Sequence, residues 1–555
     1  MDPEKKENEE VTVDDILNLL GPFGKFNILN FILILFPVFL AGIYSSVYNF
    51  ESMDLNYRCA VPECSEDESA LNFTIPHGDD GKPYKCLRYA PFPNYTIFEN
   101  GTYCAPYHFD TSTEVECDTY VYLEEHSIVK EFNLACQDWK RSLVGTVHNA
   151  GFFISIPLTG IISDKFGRRL AVVFAAVANG VFGLIRALSA NYNMFVVFEF
   201  LEPAFGGGVY TACFVLALEL VGPKGRVFVS LLFNTMFILG GVAVTLLSWW
   251  LQNWRYLLFI IYTPSVFVFV YMWTLSESFR WFFSKGRYQE GLDVLSKSEK
   301  FNNVNIPKDY YSQVEKHATQ QRDARKYQSK ESNQSSFKQI LTSMMIWKRL
   351  LICSFLWTAS TLVYYGLSIN AIELSGNSYL NYIVIIVIEA PANVCKLILL
   401  DRFGRKKVIA IAFLLTGLIL INYGFVPEGN WSLVMYLGGK FFITLAYNSL
   451  YVFAAEVFPT NYRTTLLAMC STVGRIGSTV APLTPLLARF YEYLPTILFG
   501  AMATLSAALV LTLPETNNLK LPDSLKEAQD QDKKRDPEEN RQTQDEKDTV
   551  IKSRL

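Results

Sequence analysis

The chain contains twelve blocks of mostly apolar residues, each long enough to cross a lipid bilayer as a helix. About twenty residues span the hydrocarbon, where only a helix or a closed barrel satisfies its own backbone hydrogen bonds. The blocks form two groups of six, at residues 26–48, 142–162, 170–189, 194–220, 227–251, 256–275, 349–370, 379–400, 408–426, 432–455, 464–488 and 494–513. Their length argues against twelve core helices of a soluble protein, and the sequence predicts an all-α membrane protein with twelve transmembrane helices.

Basic residues indicate which side of the membrane each loop occupies. The short loops after the second, fourth, eighth and tenth blocks carry Lys165, Arg168, Arg169, Lys224, Arg226, Arg402, Arg405, Lys406, Lys407 and Arg463. Loops rich in lysine and arginine stay in the cytoplasm. Residues 1–25 and 514–555 are therefore expected to be cytoplasmic, and the acidic N-terminus lacks the apolar region of a cleaved signal peptide.

A polar segment, residues 49–140, separates the first two blocks. It holds six of the ten cysteines, namely Cys59, Cys64, Cys86, Cys104, Cys117 and Cys136, and three glycosylation sequons, at Asn72, Asn94 and Asn100. An even set of cysteines beside sequons predicts an extracellular loop with disulfides and glycans. Six cysteines allow fifteen pairings, and the sequence does not choose among them. The alternative is six free thiols on a cytosolic loop.

Two further polar segments complete the predicted organisation. Residues 276–346 are mixed in charge and compatible with short helices, so they are interpreted as a cytoplasmic linker between residues 141–275 and residues 347–513. The first of these two ranges forms the N-terminal bundle together with block one, and the second forms the C-terminal bundle. The tail from residue 514 is highly charged and typical of disorder.

Three charged features of the first half recur in the second half, and nearly the same number of residues separates the members of each pair. Asp164, in Asp-Lys-Phe-Gly-Arg-Arg, is followed 237 residues later by Asp401, in Asp-Arg-Phe-Gly-Arg-Lys. The other two pairs have offsets of 237 and 238 and are Glu219 with Glu456 and Glu277 with Glu515. Two pseudosymmetric six-helix halves are typical of secondary transporters.

The repeated charges predict one cluster on each half at the cytoplasmic face. Charge at membrane depth is costly unless it is paired, and the orientation signal requires basic residues but not matching acids. We therefore favour a gating role, in which the clusters hold an outward-open state, over one as topology signals and helix caps. The gating candidates are Asp164, Arg168, Glu219, Arg226, Glu277, Asp401, Arg405, Glu456, Arg463 and Glu515.

The paired loops resemble the loop motif of the major facilitator superfamily. Other features narrow the resemblance to the organic cation/anion/zwitterion (carnitine-type) transporter family, with an insect-like or other animal member expected. These features are the cysteine-rich first loop and the sequences Gly21-Pro-Phe-Gly24, Asn253-Trp254-Arg255, Glu277-Ser-Phe-Arg280-Trp281, Tyr364-Tyr365-Gly366-Leu367-Ser368 and Glu456-Val-Phe-Pro459. The resemblance covers residues 14 to 525, nearly the whole chain.

The resemblance implies a multi-pass plasma-membrane carrier that works by alternating access around a site near mid-membrane. Its expected partners are a small organic ion, membrane lipid and a coupling species that is Na⁺, H⁺ or a counter-substrate. No cofactor, metal or nucleic acid is expected.

Ionisable residues inside spans are functional candidates by default. They are His148, Glu199, Glu202, Glu389, Lys396, Lys440 and Arg475. Arg475 resembles the family position where cation-selective members carry Asp and anion- or carnitine-type members carry Arg. The resemblance therefore implies that the solute or a co-solute bears an anionic group. The alternative is a structural ion pair with an acid inside a span.

The acidic candidates favour an amine on the same solute. Glu389 precedes Pro391, as in cation- and carnitine-type relatives. Anion-type relatives tend to have Lys two residues after that proline, whereas this chain has Asn393, although Lys396 could partly substitute. Glu202 is a second candidate partner for an ammonium group.

Two of the ionisable groups have more local explanations. Glu199 stands where the family usually has Arg, and we expect it to pair with Arg186 or Lys440 rather than with solute. His148 is interpreted as a hydrogen-bonded packing residue more readily than as a proton carrier, because only five histidines occur in the chain.

Aromatic faces attract ammonium groups and flat rings by about 0.5–2 kcal/mol. The candidates are Trp357, Tyr364, Tyr365, Tyr447 and Tyr451, with His148, Asn149, Asn234 and Asn448 as polar lining. Tyr447 and Tyr451 are four residues apart and share one helix face. Ordinary helix packing is the alternative for each ring.

An arginine and a glutamate in an aromatic cavity best suit an organic cation or zwitterion, for which the family suggests carnitine-, betaine-, β-alanine- or carcinine-like solutes. An organic anion exchanger is the alternative within the family, and a non-transporting receptor or scaffold is the alternative from another class. A nucleotide-driven pump is disfavoured because no phosphate-binding loop occurs, and an enzyme because no catalytic or metal-ligand spacing occurs in the spans.

Overall fold

A computed structural model describes residues 24–64, 71–78, 81, 83–92, 105–221, 225–304, 306–307, 310, 313, 319, 343–374, 376–427, 429–459 and 463–516. In these residues eleven helices are long and apolar enough to cross a membrane. A twelfth, Asn430–Val457, has spanning length and carries several buried polar residues. This architecture confirms the predicted all-α membrane fold.

The first six long helices form the N-terminal bundle. In chain order they are α1 (Lys25–Glu51), α2 (Asp138–Phe166), α3 (Arg168–Ala187), α4 (Tyr192–Leu220), α5 (Arg226–Leu251) and α6 (Trp254–Thr274). The helix α4 is interrupted between Gly206 and Val209. Gly208 there lies against α2, and a Cβ atom on it would stand 1.9 Å from the Thr159 hydroxyl. The glycine therefore allows α2 and α4 to pack closely.

The next six long helices form the C-terminal bundle. They are α7 (Met344–Glu373), α8 (Ser378–Phe403), α9 (Arg405–Phe425), α10 (Asn430–Val457), α11 (Arg463–Val480, continued by a 3₁₀ segment over Ala481–Arg489) and α12 (Leu494–Leu511). The α8 helix divides after Val387 and resumes at Glu389. Pro391 explains the division, because proline cannot donate the backbone hydrogen bond that would reach residue 387.

The segment between α1 and α2, which we call the cap, is built from two small antiparallel sheets. Strand β1 (Tyr57–Cys59) pairs with β4 (Tyr120–Tyr122), and β2 (Leu87–Pro91) pairs with β3 (Phe109–Glu116). Short helices cover Leu71–Thr74 and Ile128–Glu131. We call the end of the molecule that carries the cap the cap end, and the end with the Asp-x-x-Gly-Arg loops the motif end.

The structure resolves much of the cysteine pairing that the sequence left open. Disulfides join Cys59 to Cys117 and Cys86 to Cys136, and Cys64 is also disulfide-bonded. Cys213, Cys353, Cys395 and Cys470 are free thiols in the membrane helices. Asn72 is exposed in the cap. Cys104, Asn94 and Asn100 lie outside the described residues, as do residues 1–23, most of the linker and the tail from residue 517.

Each bundle has its own apolar core, and the two bundles join at the cap end. One core lies within α7 to α12 around Trp357, Phe413 and Phe499. A core of the N-terminal bundle also includes Tyr379 and Tyr382 of α8. Those two rings contact Phe50 of α1 at centroid distances of 5.9 Å and 5.1 Å.

Candidate transport site and its charged clusters

Glu389 and Lys440 form an ion pair inside the C-terminal bundle. Lys440 Nζ lies 2.9 Å from Glu389 Oε1 and 3.4 Å from the centroid of the Tyr364 ring. The Tyr364 hydroxyl donates to Glu389 at 2.6 Å, and Lys440 donates to Ser368 Oγ at 2.8 Å. Both charges are almost fully buried. A solute amine that approaches Glu389 must therefore share it with Lys440.

Arg475 is held close to α7 by two glycines. A Cβ atom on Gly474 would stand 2.9 Å from Trp357 Cβ, and one on Gly477 would stand 2.2 Å from the Thr358 carbonyl oxygen. Only glycine at these positions lets α11 approach α7 so closely. This contact brings Arg475 to the boundary between the bundles.

The Arg475 guanidinium is surrounded by rings rather than by acids. It lies 5.2 Å from the centroid of Phe152 in α2 and interacts with the hydroxyl groups of Tyr365, Tyr447 and Tyr451. Within the described part of the chain no carboxylate pairs with it. A half-buried guanidinium without a carboxylate partner retains donors that can bind an anionic group.

The predicted aromatic candidates form one contiguous group. Tyr364 contacts Tyr365 and Tyr447 at centroid distances of 5.1 Å and 5.4 Å. Tyr451 contacts Tyr447 at 5.5 Å and Trp357 at 5.1 Å. Trp357 lies in the apolar core of its bundle, whereas Tyr451 is 40% exposed. The tyrosines therefore carry most of the aromatic surface that a solute can reach.

Polar groups continue the site into both bundles. Asn448 donates to Asn393 at 2.7 Å within the C-terminal bundle. Opposite them, Asn234 lies 3.5 Å from the Tyr210 hydroxyl, and Tyr210 interacts with Tyr451 across the boundary. These contacts bring the predicted asparagines to the same region as the tyrosines.

His148 and Glu202 lie apart from this group, in the interior of the N-terminal bundle. His148 is 1% exposed, and its Nδ1 atom lies 2.8 Å from Glu199 and 3.7 Å from Glu202. Glu199 forms its ion pair with Arg186, one of the two partners that the sequence suggested. The structure thus places Glu202 beside Arg186 rather than beside the tyrosines of α7 and α10.

At the motif end of the N-terminal bundle, Arg168 is the centre of a cluster. It lies 2.6 Å from Asp164 and 3.1 Å from Glu219. Glu277 accepts hydrogen bonds from the backbone of Arg168 and Arg169 at 2.9 Å and 3.1 Å. Burial raises the pKa of the Glu277 carboxyl, and those hydrogen bonds oppose the shift.

The C-terminal bundle repeats the same arrangement at the equivalent positions. Arg405 lies 3.7 Å from Asp401 and 3.3 Å from Glu456, and its backbone N–H donates to Glu515 at 3.1 Å. The ion pairs found in these clusters join helices of one bundle and do not cross between bundles. Within the described residues Arg226 is exposed and has no ion pair, and Arg463 begins α11.

Ion pairs between the bundles lie at the cap end, where the sequence did not indicate them. Arg141 of α2 lies 3.1 Å from Glu373 of α7, and Asp138 pairs with Arg489. Arg141 also lies 3.3 Å from Asp54, at the border of the cap. A cavity of about 730 Å³ at this end is lined by both bundles and the cap. The only sequence signal for these pairs is that residues of opposite charge lie at the ends of helices from different halves.

The family described as "Sugar (and other) transporter" matches residues 94–524, which is well over half of the chain. The chain belongs to this transporter family. An organic cation transporter protein of Drosophila melanogaster is 28% identical to this chain, and the alignment covers 95% of this chain and 96% of the relative. The organic cation/carnitine transporter 2 of Homo sapiens is 30% identical, with 92% and 93% covered. These relatives confirm the family resemblance drawn from the loop motifs.

A solved proton:xylose symporter of the major facilitator superfamily shares the fold of the transporter. The TM-score is 0.58 at 16% identity, with 89% of this chain and 98% of the symporter covered. At this identity the likeness concerns the fold alone. It confirms the predicted major facilitator architecture.

Proposed function

We propose that the protein is a plasma-membrane secondary transporter that moves small organic zwitterions or amine-bearing cations by alternating access. The observation that carries this proposal is the Arg475 guanidinium, which faces tyrosines and Phe152 with no carboxylate partner among the described residues. Near it, Glu389 supplies negative charge and the tyrosine rings supply aromatic faces. A solute with a carboxylate and an amine satisfies both.

The carboxylate of the solute is assigned to Arg475. A planar guanidinium can donate two parallel hydrogen bonds to a carboxylate, and such charge-assisted bonds are stronger than neutral ones. The tyrosine hydroxyls beside it would supply further donors. Removing the guanidinium should therefore affect solutes with a carboxylate more than solutes without one.

The amine of the solute is assigned to the tyrosine group. Tyr447 and Tyr451 present ring faces near the boundary between the bundles, and each ring face contributes about 0.5–2 kcal/mol to binding of an ammonium group. Glu389 adds negative charge nearby, although Lys440 already neutralises part of it. The names of the Drosophila and human relatives, which mention organic cations and carnitine, support this class of solute.

An organic anion exchanger is the second candidate. It is favoured by Lys396, one turn from Asn393 on α8, for which no acidic partner occurs among the described side chains. In this alternative Lys396 and Arg475 both face anionic groups. The zwitterion proposal instead requires that the amine of the solute contribute to affinity.

The proposed orientation places the cap outside the cell and the motif end in the cytoplasm. Disulfides in the cap are typical of an oxidising compartment. The pairs Arg141–Glu373 and Asp138–Arg489 close the cap end in this conformation. We therefore assign the structure to a state closed toward the outside.

The test is an uptake panel in cells that express the full chain. The probes are carnitine, β-alanine, carcinine, tetraethylammonium and p-aminohippurate, each at several membrane potentials. Saturable uptake of the zwitterions or the cations, with trans-stimulation, supports the proposal. Saturable uptake of p-aminohippurate alone supports the exchanger, and a conductance that does not saturate contradicts alternating access.

A further inference from the structure

The N-terminal bundle encloses a group of ionisable side chains that the proposed solute site does not use. It consists of Glu51, His148, Arg186, Glu199 and Glu202, which we call the buried cluster. The residues come from α1, α2, α3 and α4, and none is more than 1% exposed. Residues of this kind inside a membrane protein mark functional sites more often than packing.

Arg186 lies at the centre of the buried cluster. Its Nη2 atom lies 2.9 Å from Glu51 and donates to the Tyr262 hydroxyl at 2.9 Å, and its Nη1 atom pairs with Glu199. Glu199 contacts His148 through its other oxygen at 2.8 Å. These contacts pair the two terminal nitrogens of Arg186 with Glu51, Glu199 and Tyr262.

Four polar atoms of the buried cluster have no hydrogen-bond partner. They are Glu51 Oε2, Glu202 Oε2, His148 Nε2 and Arg186 Nε. Glu202 Oε2 lies 3.7 Å from His148 Nδ1 and 3.8 Å from Arg186 Nη1, too far for a hydrogen bond to either. A buried carboxylate oxygen without a hydrogen bond is costly while it carries negative charge, and a proton taken up there removes that charge.

The charges of the buried cluster do not balance. Three carboxylates face one guanidinium, so the net charge is −2 when the histidine is neutral and every carboxylate is ionised. Uncompensated charge in a low-dielectric interior is strongly unfavourable. A bound cation would relieve it, but in the described residues no group of His, Cys, Asp or Glu side chains is arranged to hold a metal ion. Protons are the remaining means of neutralisation.

In the part of the chain that the structure describes, the other titratable groups that face the buried cluster are tyrosines, which add no positive charge. From α1 they are Tyr44 and Tyr48, and from α6 the group is Tyr262. From the C-terminal bundle, Tyr365 and Tyr382 approach Tyr48. Arg475 of that bundle contacts Phe152, and Phe152 in turn contacts the His148 ring.

A chain of ring contacts joins the buried cluster to the proposed solute site. The His148 ring lies 4.8 Å from Tyr48 on one side and 5.8 Å from Phe152 on the other. Phe152 in turn lies 5.2 Å from the Arg475 guanidinium. A change of charge beside His148 therefore acts within two ring contacts of the group that we assign to the solute carboxylate.

We propose that the buried cluster is a proton-binding site whose occupancy is coupled to transport, with Glu202 as the carboxylate that takes the proton. This inference rests on the proposed function and names its coupling ion. The proton comes from water and forms an O–H bond with Glu202 Oε2, and on release it returns to water. Each proton bound makes the site less negative, which favours the solute carboxylate at Arg475, and the solute favours the proton by the same factor.

The test uses the purified full chain in liposomes that contain a pH-sensitive dye. Solute exchange is followed with labelled carnitine, β-alanine or carcinine present on both sides. Proton movement is followed by the dye after each unlabelled probe is added outside. We expect a transported carboxylate-bearing probe to acidify the lumen with wild-type protein.

The variants separate proton coupling from solute exchange. Glu202→Gln keeps the shape of the side chain but cannot ionise, so at least a ten-fold loss of the dye signal with solute exchange preserved is expected. Glu290→Gln, at an exposed position of the linker helix Tyr288–Asn302, is the matched control and should behave as wild type. His148→Gln serves if Glu202→Gln does not fold, with the same loss of signal expected.

Each outcome decides between the claims. Exchange without any dye signal in wild-type protein overturns proton coupling but leaves the proposed function standing. A dye signal that persists in Glu202→Gln and His148→Gln overturns the assignment to the buried cluster. Uptake that requires Na⁺ and moves no protons overturns the choice of ion. Absence of exchange with every probe overturns the proposed function and this inference with it.

Discussion

Arg141 of the N-terminal bundle and Glu373 of the C-terminal bundle lie 3.1 Å apart at the cap end, where they join the two halves. Arg141 is also 3.3 Å from Asp54, so the contact extends toward the cap. The clusters at the motif end contain no such crossing pair among the described residues. Among the described residues, the ion pairs that join the two bundles therefore lie at the cap end, and the gating role of the motif-end clusters stays a prediction.

Removing this contact should favour opening of the cap end. The Glu373 side chain is 38% exposed, so the pair is worth only about 0.5–1 kcal/mol. For Glu373→Gln we expect roughly a two- to five-fold shift toward the open state. The rate at which a cysteine introduced at Ser142 reacts with an impermeant thiol reagent measures this shift.

The control for the opening experiment is the exchange of the two charges. Arg141→Glu combined with Glu373→Arg should return the labelling rate toward that of the parent. If the single substitution leaves the rate unchanged, the pair does not hold the cap end closed.

Gly167 and Gly404 should be essential for the stability of the two motif loops. Their φ angles are +115° and +90°, and a Cβ atom on Gly167 would stand 2.3 Å from Glu277 Oε2. Gly167→Ala combines a strained backbone, which costs about 1–3 kcal/mol, with loss of room for Glu277. We expect a clearly lower melting temperature in detergent and reduced transport.

Gly160→Ala, inside α2 and seven residues before Gly167, is the matched control for the glycine experiment. A Cβ atom on Gly160 meets nothing within 4 Å, and alanine is the better helix former. Its melting temperature should stay the same or rise slightly. Equal destabilisation by the two alanines would contradict the account of Gly167.

Removing one partner of the ion pair between Lys440 and Glu389 should destabilise the protein more than replacing both partners with apolar side chains. Leaving one buried charge without its partner costs about 3–5 kcal/mol, whereas an apolar pair of similar volume is often neutral. Glu389→Gln and Lys440→Met should each reduce the yield of monodisperse protein. Lys440→Met combined with Glu389→Met should recover most of that yield, which size-exclusion chromatography measures.

The transport readout separates stability from binding at this pair. The double variant lacks the acid, so it should fold yet bind amine-bearing probes more weakly than the parent does. Recovery of both yield and amine affinity would show that Glu389 has no part in binding the solute.

The sequence predicted the helices and the motif-end clusters because both depend on local signals. The length of an apolar block is enough to predict a membrane span. The repeat offset predicts that Arg168 and Arg405 are equivalent, and in the structure each pairs with the matching glutamate of its own bundle. The helices extend past the blocks, as α2 does by starting at Asp138, because polar helix ends lie outside the hydrocarbon. Such boundaries leave no mark in an apolar pattern.

Contacts between distant helices could not be predicted in the same way. The pairing of Lys440 with Glu389, and of Glu199 with Arg186 rather than with Lys440, depends on which helix faces meet. The crossing pairs at the cap end join residues 232 and 351 positions apart, for which the sequence carries no periodic signal.

The most direct test of the central claim is solute exchange by Arg475→Ala with two probes that differ in the carboxylate, carnitine and tetraethylammonium. Cell-surface protein is quantified in parallel, and Arg475→Lys is the control that keeps the charge but loses the planar fork. The account predicts that exchange of carnitine is lost in Arg475→Ala and weakened in Arg475→Lys, while exchange of tetraethylammonium remains. Carnitine exchange with unchanged apparent affinity in Arg475→Ala would contradict it.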